Sequence, residues 1–300
     1  MLEAPDPGPP QRQGGQEFAL TGADFAAIAR LAYQHFGLHL TESKRSLVYS
    51  RLARRLRKKG LPDFAAYVVL LNGPEWEAEK LDFLTALTTN TTHFYREAHH
   101  FTRLEKEVLP PLIEAARKKR GRVRLWSAAS SSGQEPYSMA MSVLRVCPEA
   151  ASLDIKILAT DIDPVIVNKA REAVYLPEEY QSMPADMRAE CTQPVPGNYK
   201  LSPKVTGLVT FGILNLMDEL PFRGPFDAIF CRNVAIYFDK PTQVKVFTKL
   251  THVLRPGGEL FIGHSERLSG EVSNYYENSG ITSYKRRADA ARPKPRSLNV

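Results

Sequence analysis

Small and polar residues follow three apolar runs that have the composition of buried strands. The serine-rich turn "SSSG" follows "RVRLWSA", Asp161 closes "IKILATD", and Arg232 and Asn233 follow "FDAIFC". Ligands of open α/β sheets bind at the carboxyl ends of the strands. A small-residue turn allows close approach to the free N–H groups of a helix start, and an acid after the next strand commonly binds ribose hydroxyls. These features together predict a site for an adenine nucleoside cofactor.

Each feature has a simpler interpretation when it is taken alone. The serines could form a flexible loop, Asp161 and Asp163 could cap a helix, and Asn233 could satisfy a turn. The turn lacks the G-x-G-x-x-G fingerprint, and Gly133 is followed by Gln-Glu-Pro where a phosphate-binding loop would carry its lysine. Their occurrence at three successive strand ends favours the nucleoside site.

A second group of polar residues lies in "LTTNTTHFYREAHHF", residues 87–101. Asn90, Thr92 and Arg96 stand among aromatic residues there, and the alternative interpretation is a capped helix start with Arg96 on its surface. His93, His99 and His100 are spaced by six and one, so no two share a helical face four residues apart. We interpret them as structural histidines and predict no metal site.

Alternating strand and helix patterns position the strand-end residues. The apolar runs "LVTFGIL" and "GELFIGH" add strands, whereas "QEPYSMAMSVLRV", "PVIVNKAREAV" and "PTQVKVFTKLTHVLRPGG" predict helices, the last ending at Pro-Gly-Gly. This alternation predicts a doubly wound α/β sheet over residues 118–285. A Pro-, Gly- and Tyr-rich segment at 175–210 interrupts it and predicts a small inserted β-subdomain.

The pattern of residues 17–117 is helical, which predicts a separate N-terminal helical domain and linker. "TGADFAAIARLAYQHF" has an N-cap candidate in Thr21, and the next helix has a cap signal at Thr41 and a stop at Gly60. "PDFAAYVVLLN" and "EAEKLDFLTALTTN" continue the series. Residues 1–16 and 286–300 are rich in Pro, Gly, Gln or charge and are predicted to be disordered tails.

The composition is that of a soluble globular protein of 300 residues, 43% hydrophobic and 24% charged. No apolar run approaches the roughly 20 residues that span a bilayer, and the N-terminus lacks the apolar region of a secretory signal. Cys147, Cys191 and Cys231 are far apart and odd in number, which favours reduced thiols in the cytoplasm. The net charge of +7 suits an acidic partner, and charge alone does not distinguish nucleic acid, lipid and protein.

Six segments in order resemble the CheR family of chemotaxis-receptor glutamate methyltransferases. They are "NTTHFYREAHHF" (90–101), "WSAASSSGQEPYSMAM" (126–141), "ATDID" (159–163), "FGILNL" (211–216), "FDAIFCRNVAIYF" (226–238) and "LRPGGELFIGHSERL" (254–268). The resemblance covers nearly all of residues 20–285. It implies a Rossmann-like methyltransferase sheet, S-adenosylmethionine (SAM) as cofactor, S-adenosylhomocysteine (SAH) as product, and the cytoplasmic domain of methyl-accepting chemoreceptors as partner.

The resemblance also implies roles for individual residues. The expected cofactor pocket consists of Asn90, Thr92, Arg96, Glu135, Asp161, Asn215, Leu216, Arg232 and Asn233. Glu135 is expected to bind the methionyl amine, and Tyr237 to lie near the transferring methyl, with Arg96 or Tyr237 orienting the substrate carboxylate. Ser132, Tyr95 and Ala235 depart from the residues usual in the family, and none of these changes removes a charged or catalytic group.

The basic helix at 41–59 is the expected substrate-binding surface. Lys44, Arg51, Arg54 and Arg57 are spaced by 7, 3 and 3 and form a broad stripe, which could equally be a solvated face. The resemblance implies that this stripe meets the acidic methylation region of the receptor. Two other functions remain open, a nucleic-acid methyltransferase and a non-catalytic SAM-binding adaptor. We expect a cytoplasmic enzyme with no nucleic-acid partner and no membrane insertion, and the oligomeric state stays open.

Overall fold

The computed structural model describes residues 17–118 and 121–289, and the chain divides between Thr89 and Asn90 into two compact units. The sequence predicts a helical domain together with its linker over residues 17–117. Residues 90–117 belong to the second unit because Phe101, Leu104 and Ile113 pack into the core around the sheet. The predicted tail 1–16 lies outside the described residues, as do residues 290–300 of the other predicted tail. Arg286 ends a strand and is buried.

The first unit is helical, as the sequence predicted. Its helices are α1 (Gly22–Phe36), α2 (Arg45–Lys59), α3 (Phe64–Leu71) and α4 (Trp76–Leu87). Thr21 caps α1 in a reciprocal capping box: the Asp24 N–H donates to the Thr21 hydroxyl at 3.1 Å and the Thr21 N–H donates to Asp24 at 2.9 Å. Gly60 ends α2 in the left-handed conformation, with φ of 66°.

The cap predicted at Thr41 is wrong for α2. Thr41 precedes a single 3₁₀ turn (Glu42–Lys44), and its hydroxyl lies 2.8 Å from that of Ser43 without capping a backbone N–H. The α-helix proper begins at Arg45. The signal at Thr41 therefore marked the 3₁₀ turn before the helix and not the start of α2.

The second unit contains a seven-stranded, mostly parallel sheet with helices around it. Its helices are α5 (Ala98–Arg103), α6 (Leu109–Arg117), α7 (Gln134–Val146), α8 (Pro164–Glu172), α9 (Pro177–Gln181), α10 (Ala185–Cys191), α11 (Pro203–Thr206) and α12 (Lys240–Val253). A π-helical turn, Leu104–Val108, joins α5 to α6. The strands are β1 (Val123–Ala128), β2 (Ile155–Asp161), β3 (Val174–Tyr175), β4 (Thr192–Val195), β5 (Asn198–Leu201), β6 (Val209–Ile213), β7 (Phe226–Cys231), β8 (Leu254–Ile262), β9 (Tyr276–Gly280) and β10 (Ser283–Arg286).

The strand order of the large sheet is β6-β2-β1-β7-β8-β10-β9, and β6, β2, β1, β7 and β8 run parallel. Ala128 pairs with Thr160, and Ser127 pairs with Phe230. This register brings the carboxyl ends of β1, β2 and β7 to one edge of the sheet. The prediction of a doubly wound α/β sheet is therefore confirmed. Among the described residues, every helix is too short or too polar to span a bilayer.

The prediction that the last helix ends at Pro-Gly-Gly is wrong. Helix α12 ends at Val253, and residues 255–258 form a bulge inside β8, between the pairs Phe226–Leu254 and Ala228–Glu259. Arg255 contacts Asp227 at 2.6 Å across this bulge. A bulge accommodates extra residues without ending the ladder.

The inserted element is a small antiparallel sheet of order β3-β5-β4, which begins at Val174, one residue before the segment 175–210 that the sequence singled out. The rings of Tyr180 and Tyr199 stack at 3.7 Å with an interplanar angle of 4°. Arg188 lies over the Tyr180 ring at 5.4 Å.

Candidate active site

The turn between β1 and α7 has an unusual backbone. Ala129, Ser131 and Gly133 have φ values of 63°, 49° and 94°, all in the left-handed region. A Cβ at Gly133 would lie 2.9 Å from the Tyr175 hydroxyl and 3.0 Å from the Ala170 Cβ, so this position requires glycine. The turn is ordered by backbone bonds, such as that from the Ser130 N–H to the Thr160 carbonyl at 2.9 Å. The alternative of a flexible serine loop does not describe it.

Asp161 connects the end of β2 to this turn. Its carboxylate accepts from the Ser131 N–H at 2.8 Å and from the Asp163 N–H at 3.1 Å. Burial raises the pKa of Asp161, and the two N–H bonds oppose that shift. Asp163, by contrast, caps α8 by accepting from the Val165 N–H at 2.8 Å. The two acids therefore differ, and each Asp161 oxygen keeps a lone pair for a further donor.

Arg232 is the centre of a buried charge network, which we define as Arg232, Glu97 and Glu135. Its side chain is 1% exposed and contacts Glu135 at 2.9 Å and Glu97 at 3.2 Å. It also donates to the Arg96 carbonyl. Two carboxylates thus share one guanidinium, so the network carries an excess negative charge when both carboxylates are ionised.

The Glu135 carboxylate lies at the start of α7 and also accepts from the Ser127 hydroxyl at 2.7 Å. Burial raises its pKa, although Arg232 and Ser127 oppose the shift. Burial would likewise raise the pKa of Glu97, but Arg232 and the His264 N–H outweigh it and lower that pKa. The sequence predicted Glu135 and Arg232 as pocket residues and missed Glu97, although it lies inside the quoted segment 90–101.

Three residues near this network adopt left-handed backbone conformations. Tyr95, Glu97 and Asn233 have φ values of 54°, 57° and 58°. The Asn233 amide lies 3.4 Å from Glu97, and the His264 N–H donates to the same Glu97 oxygen at 3.1 Å. Non-glycine residues in such conformations cost free energy and concentrate at functional sites.

Glu97, His99 and His100 place their ligand-type atoms within 4.8 Å of one another. One carboxylate oxygen of Glu97, Oε2, lies 3.2 Å from Arg232. His100 is buried and bonds through Nε2 with Thr282 at 2.9 Å, and burial and Arg232 lower its pKa to about 3. A neutral, buried imidazole bonded to the turn between β9 and β10 agrees with a structural role, so we assign His100 to the packing around the network.

Arg96, Asn90 and Thr92 are half-buried in the segment before α5. The Arg96 guanidinium donates to the Thr91 carbonyl at 2.9 Å, and the Asn90 carbonyl accepts from the Ser131 hydroxyl at 3.2 Å. The segment therefore touches the β1–α7 turn through Asn90 and the charge network through the Arg96 backbone.

The loop after β6 holds the predicted residues Asn215 and Leu216. The Asn215 side chain accepts from the Met217 N–H at 3.0 Å, and Leu216 is 7% exposed. Lys249 of α12 donates to the carbonyls of Leu216, Met217 and Asp218 at 3.2, 2.7 and 2.7 Å. The sequence missed Lys249 because nothing in a helical pattern indicates which loop its side chain reaches.

Tyr237 ends a 3₁₀ turn (Ala235–Tyr237) just beyond β7, and its N–H donates to the Val234 carbonyl at 3.1 Å. The Glu266 carboxylate accepts from the backbone N–H of Asn233, two residues before this turn, at 3.1 Å. It also accepts from the N–H of Ile236 within the turn, at 3.2 Å. The sequence assigned no role to Glu266. The strand-end rule could have found it, because it lies four residues beyond the end of β8.

The four basic residues of the predicted substrate surface belong to the first unit. Arg51 donates to the carbonyls of Leu87 and Thr88, at 2.7 and 3.1 Å, and Lys44 donates to that of His39 at 3.1 Å. Arg57 pairs with Glu17 at 2.7 Å. Arg54 is exposed and makes no hydrogen bond or ion pair with any residue that the structure describes. Within the stripe, three side chains bond other groups of the protein, and Arg54 bonds none of the residues from 17 to 118 and 121 to 289.

Two family models cover most of the chain. The one described as CheR methyltransferase, SAM binding domain, matches residues 90–285, and the one described as CheR methyltransferase, all-alpha domain, matches residues 23–88. The chain belongs to the CheR methyltransferase family. The division between these matches agrees with the division between the two compact units.

Named relatives support the same assignment. The chain is 47% identical over 259 residues to a probable chemotaxis protein methyltransferase of Rhizobium etli, covering 85% of this chain and 96% of that protein. It is 41% identical over 259 residues to a chemotaxis protein methyltransferase of Escherichia coli, covering 85% and 87%. CheR membership makes the chain a SAM-dependent methyltransferase, and the resemblance inferred from its motifs is confirmed.

Proposed function

We propose that this CheR family member transfers a methyl group from SAM to glutamate side-chain carboxylates in the cytoplasmic domain of chemoreceptors, giving glutamyl methyl esters. The observation that carries the proposal is the family match over residues 90–285 together with the polar residues at neighbouring strand ends. We further propose that the enzyme acts in the cytoplasm.

The charge network fits a positively charged cofactor. Glu97 and Glu135 share the single guanidinium of Arg232, and the Glu135 side chain is 12% exposed. The excess negative charge complements a ligand cation such as the methionyl ammonium of SAM. Asp161 offers its remaining lone pairs to donors such as ribose hydroxyls. Asn90, Thr92, Arg96, Asn215, Leu216 and Asn233 complete the proposed pocket.

SAM supplies an electrophilic methyl group when it is bound. The acceptor carboxylate has an ordinary pKa of about 4.3 and is ionised at neutral pH, so no general base is needed. The protein's task is to orient the two reactants and exclude water. We assign orientation of the acceptor to Tyr237 or Arg96. A Tyr237→Phe variant that binds SAH normally and transfers methyl groups at the wild-type rate would remove Tyr237 from this role.

We propose Arg54 as the stripe residue with the largest effect on receptor recognition, because its three neighbours Lys44, Arg51 and Arg57 already have partners. We expect Arg54→Glu to lower kcat/KM for receptor methylation about tenfold while the Kd for SAH stays unchanged, since charge complementarity acts mainly on association. Arg54→Lys retains the charge and serves as the control. Equal losses in both variants, or a parallel loss of SAH binding, would contradict the assignment.

The test of the function is methyl transfer from labelled SAM to membranes that carry chemoreceptors. Base-labile label on receptor glutamates, located by peptide mapping, is the expected result. Label on added RNA and none on receptors would favour the nucleic-acid alternative. Binding of SAM without turnover on any receptor would favour the non-catalytic adaptor.

A further inference from the structure

Glu266 is a buried carboxylate without an ion-pair partner among the described residues. It is 5% exposed, and its bonds come from backbone N–H groups: Gly263 at 2.5 Å, Asn233 at 3.1 Å and Ile236 at 3.2 Å. The Arg267 guanidinium nearby donates to the Glu266 and His264 carbonyls. A buried ion without a counter-ion is costly, and natural proteins seldom retain one without a reason.

The hydrogen bonds at position 266 require a side chain that accepts through two oxygens. One oxygen accepts from Asn233 and Gly263, and the other accepts from Ile236. An ionised carboxylate is acceptor-only and satisfies donors on both sides, whereas an amide offers an oxygen on one side alone. Gly263 is equally constrained, because a Cβ there would lie 2.8 Å from the Asn233 nitrogen and 2.9 Å from a Glu266 oxygen.

The residues that Glu266 holds belong to the turn 233–237. This turn begins with Asn233 in a left-handed conformation, with φ of 58°, and ends with Tyr237. Both residues belong to the proposed site. Glu266 itself is buried and has little exposed surface for contact with ligands.

We propose that Glu266 is a positioning residue for methyl transfer: its carboxylate fixes both ends of the turn 233–237 and so sets where Asn233 and Tyr237 meet cofactor and substrate. The two oxygens serve different parts of the turn. The bond to Asn233 supports the cofactor end, and the bond to Ile236 supports the end that carries Tyr237. The inference depends on the proposed function only where methyl transfer to a receptor is measured, because SAH binding is measured without a receptor.

The test compares Glu266→Gln, Glu266→Ala and Glu259→Gln in the full-length protein. Glu259 is a matched control, because it is equally buried in β8 and bonds Arg103 at 3.0 Å and Ser279 at 2.7 Å, contacts that do not touch the turn. The probes are SAH in a calorimetric titration and a chemoreceptor cytoplasmic domain in a methylation assay. Unfolding by circular dichroism checks that each variant is folded.

We expect the glutamine variant to keep its oxygen towards Asn233 and Gly263 and to place its NH₂ group against the Ile236 N–H. Its Kd for SAH should stay within about threefold of wild type, while kcat falls about tenfold or more. Glu266→Ala should weaken SAH binding about tenfold and lower kcat as well. Glu259→Gln should leave both quantities within about threefold of wild type, whatever its effect on stability.

Two results would overturn the inference. One is a wild-type kcat in Glu266→Gln, and the other is a loss in Glu259→Gln that matches the losses in the Glu266 variants. If Glu266→Ala does not fold, Glu266→Gln against Glu259→Gln decides the question. If the wild-type enzyme methylates no receptor, the proposed function fails, and SAH affinity in Glu266→Ala against Glu259→Gln still tests the positioning of Asn233.

Discussion

Each unit of the molecule contains an arginine buried among carboxylates, and the two networks differ in charge balance. In the helical unit, Arg55 contacts Glu79 at 2.9 and 2.7 Å and Asp82 at 2.6 Å. Lys59 and the Tyr67 hydroxyl also reach Glu79, at 3.0 and 2.9 Å. Two cations thus face two anions. Burial would raise the pKa of Glu79, but the bonds from Arg55, Lys59 and Tyr67 outweigh it and lower that pKa.

The Arg232 network of the catalytic unit is unbalanced by comparison. One cation faces Glu97 and Glu135, burial raises the pKa of Glu135, and the Arg232 Nε atom has no hydrogen-bond partner among the described residues. Its member Glu97 and the neighbouring residue Asn233 have left-handed backbone conformations. In the described part of the helical unit, only the glycines that end helices have such conformations.

From this difference we propose that the network of Arg55, Lys59, Glu79 and Asp82, the Glu79 network, stabilises the fold and that the Arg232 network binds a ligand. A network whose charges and hydrogen bonds are satisfied internally gains little from binding a cation. A network with an excess negative charge at the carboxyl edge of a sheet becomes more favourable when a cation binds. We therefore expect mutations in the Glu79 network to affect stability, and mutations in the Arg232 network to affect cofactor affinity.

The largest expected effect is on stability, from Glu79→Ala. This variant leaves Arg55 buried without its main partner, and breaking a buried pair on one side costs about 3–5 kcal/mol. Denaturant unfolding followed by circular dichroism measures this loss. SAH affinity per folded molecule should stay within about twofold of wild type. A stable variant, or one that loses SAH affinity while folded, would erase the distinction between the networks.

Glu135→Gln should have the next largest effect, and it should appear in binding. The amide removes the excess negative charge beside Arg232, and a hydrogen bond to a charged group contributes about 1.5–3 kcal/mol, so the Kd for SAH should rise about 10- to 100-fold. Calorimetric titration measures this change.

The control for Glu135 is Ser127→Ala, which removes a neutral donor at 2.7 Å and keeps the charge. We expect it to weaken SAH binding less than Glu135→Gln does. A larger loss in Ser127→Ala would show that the hydrogen bond, and not the charge, decides affinity.

Lys249→Met tests a single cation that belongs to neither network and holds a loop of the proposed cofactor pocket. Losing its three bonds to the loop carbonyls at 216–218 should loosen the loop that carries Asn215 and Leu216. We expect a Kd for SAH about fivefold weaker, equivalent to roughly 1 kcal/mol. Lys245→Met, an exposed change in the same helix α12, should leave the Kd unchanged. Equal effects of both variants would point to the loss of surface charge.

The smallest expected effect is a pH dependence of the Glu79 contribution to stability. Because the folded-state pKa of Glu79 lies below its ordinary value of 4.5, its contribution is present above that pH and is lost as the pH falls through the folded pKa. The stability difference between wild type and Glu79→Gln should therefore narrow between about pH 5 and pH 3. Urea unfolding across this range measures it, and a difference that widens on acidification would reverse the sign of the argument.

Much of the fold followed from local patterns. The helical unit, the parallel strands and the inserted β-subdomain appear where hydrophobic periodicity and turn residues placed them. The misses were also local in origin. Thr41 looked like a helix cap and bonded Ser43, and Pro-Gly-Gly looked like a helix stop and formed a bulge in β8. In both places the sequence signal marked a change of backbone conformation and was assigned to the wrong element.

The candidate site divides in the same way. Asp161, Arg232 and Asn233 were predicted from their places after strands, since parallel strands bring their carboxyl ends to one edge. Glu97, Lys249 and Glu266 carried no such assignment, because their partners lie far away in sequence: Arg232 for Glu97, the loop 216–218 for Lys249, and the turn 233–237 for Glu266.

The sequence by itself determined the family, the order of strands and helices, and which polar residues lie at the strand ends, because these depend on local residue types and spacing. The tertiary structure alone decided how the charges are distributed. It gave partners to Lys44, Arg51 and Arg57, left Arg54 exposed, and set two carboxylates against Arg232. Charges interact through space over a few ångströms, so their balance depends on which distant segments the fold brings together.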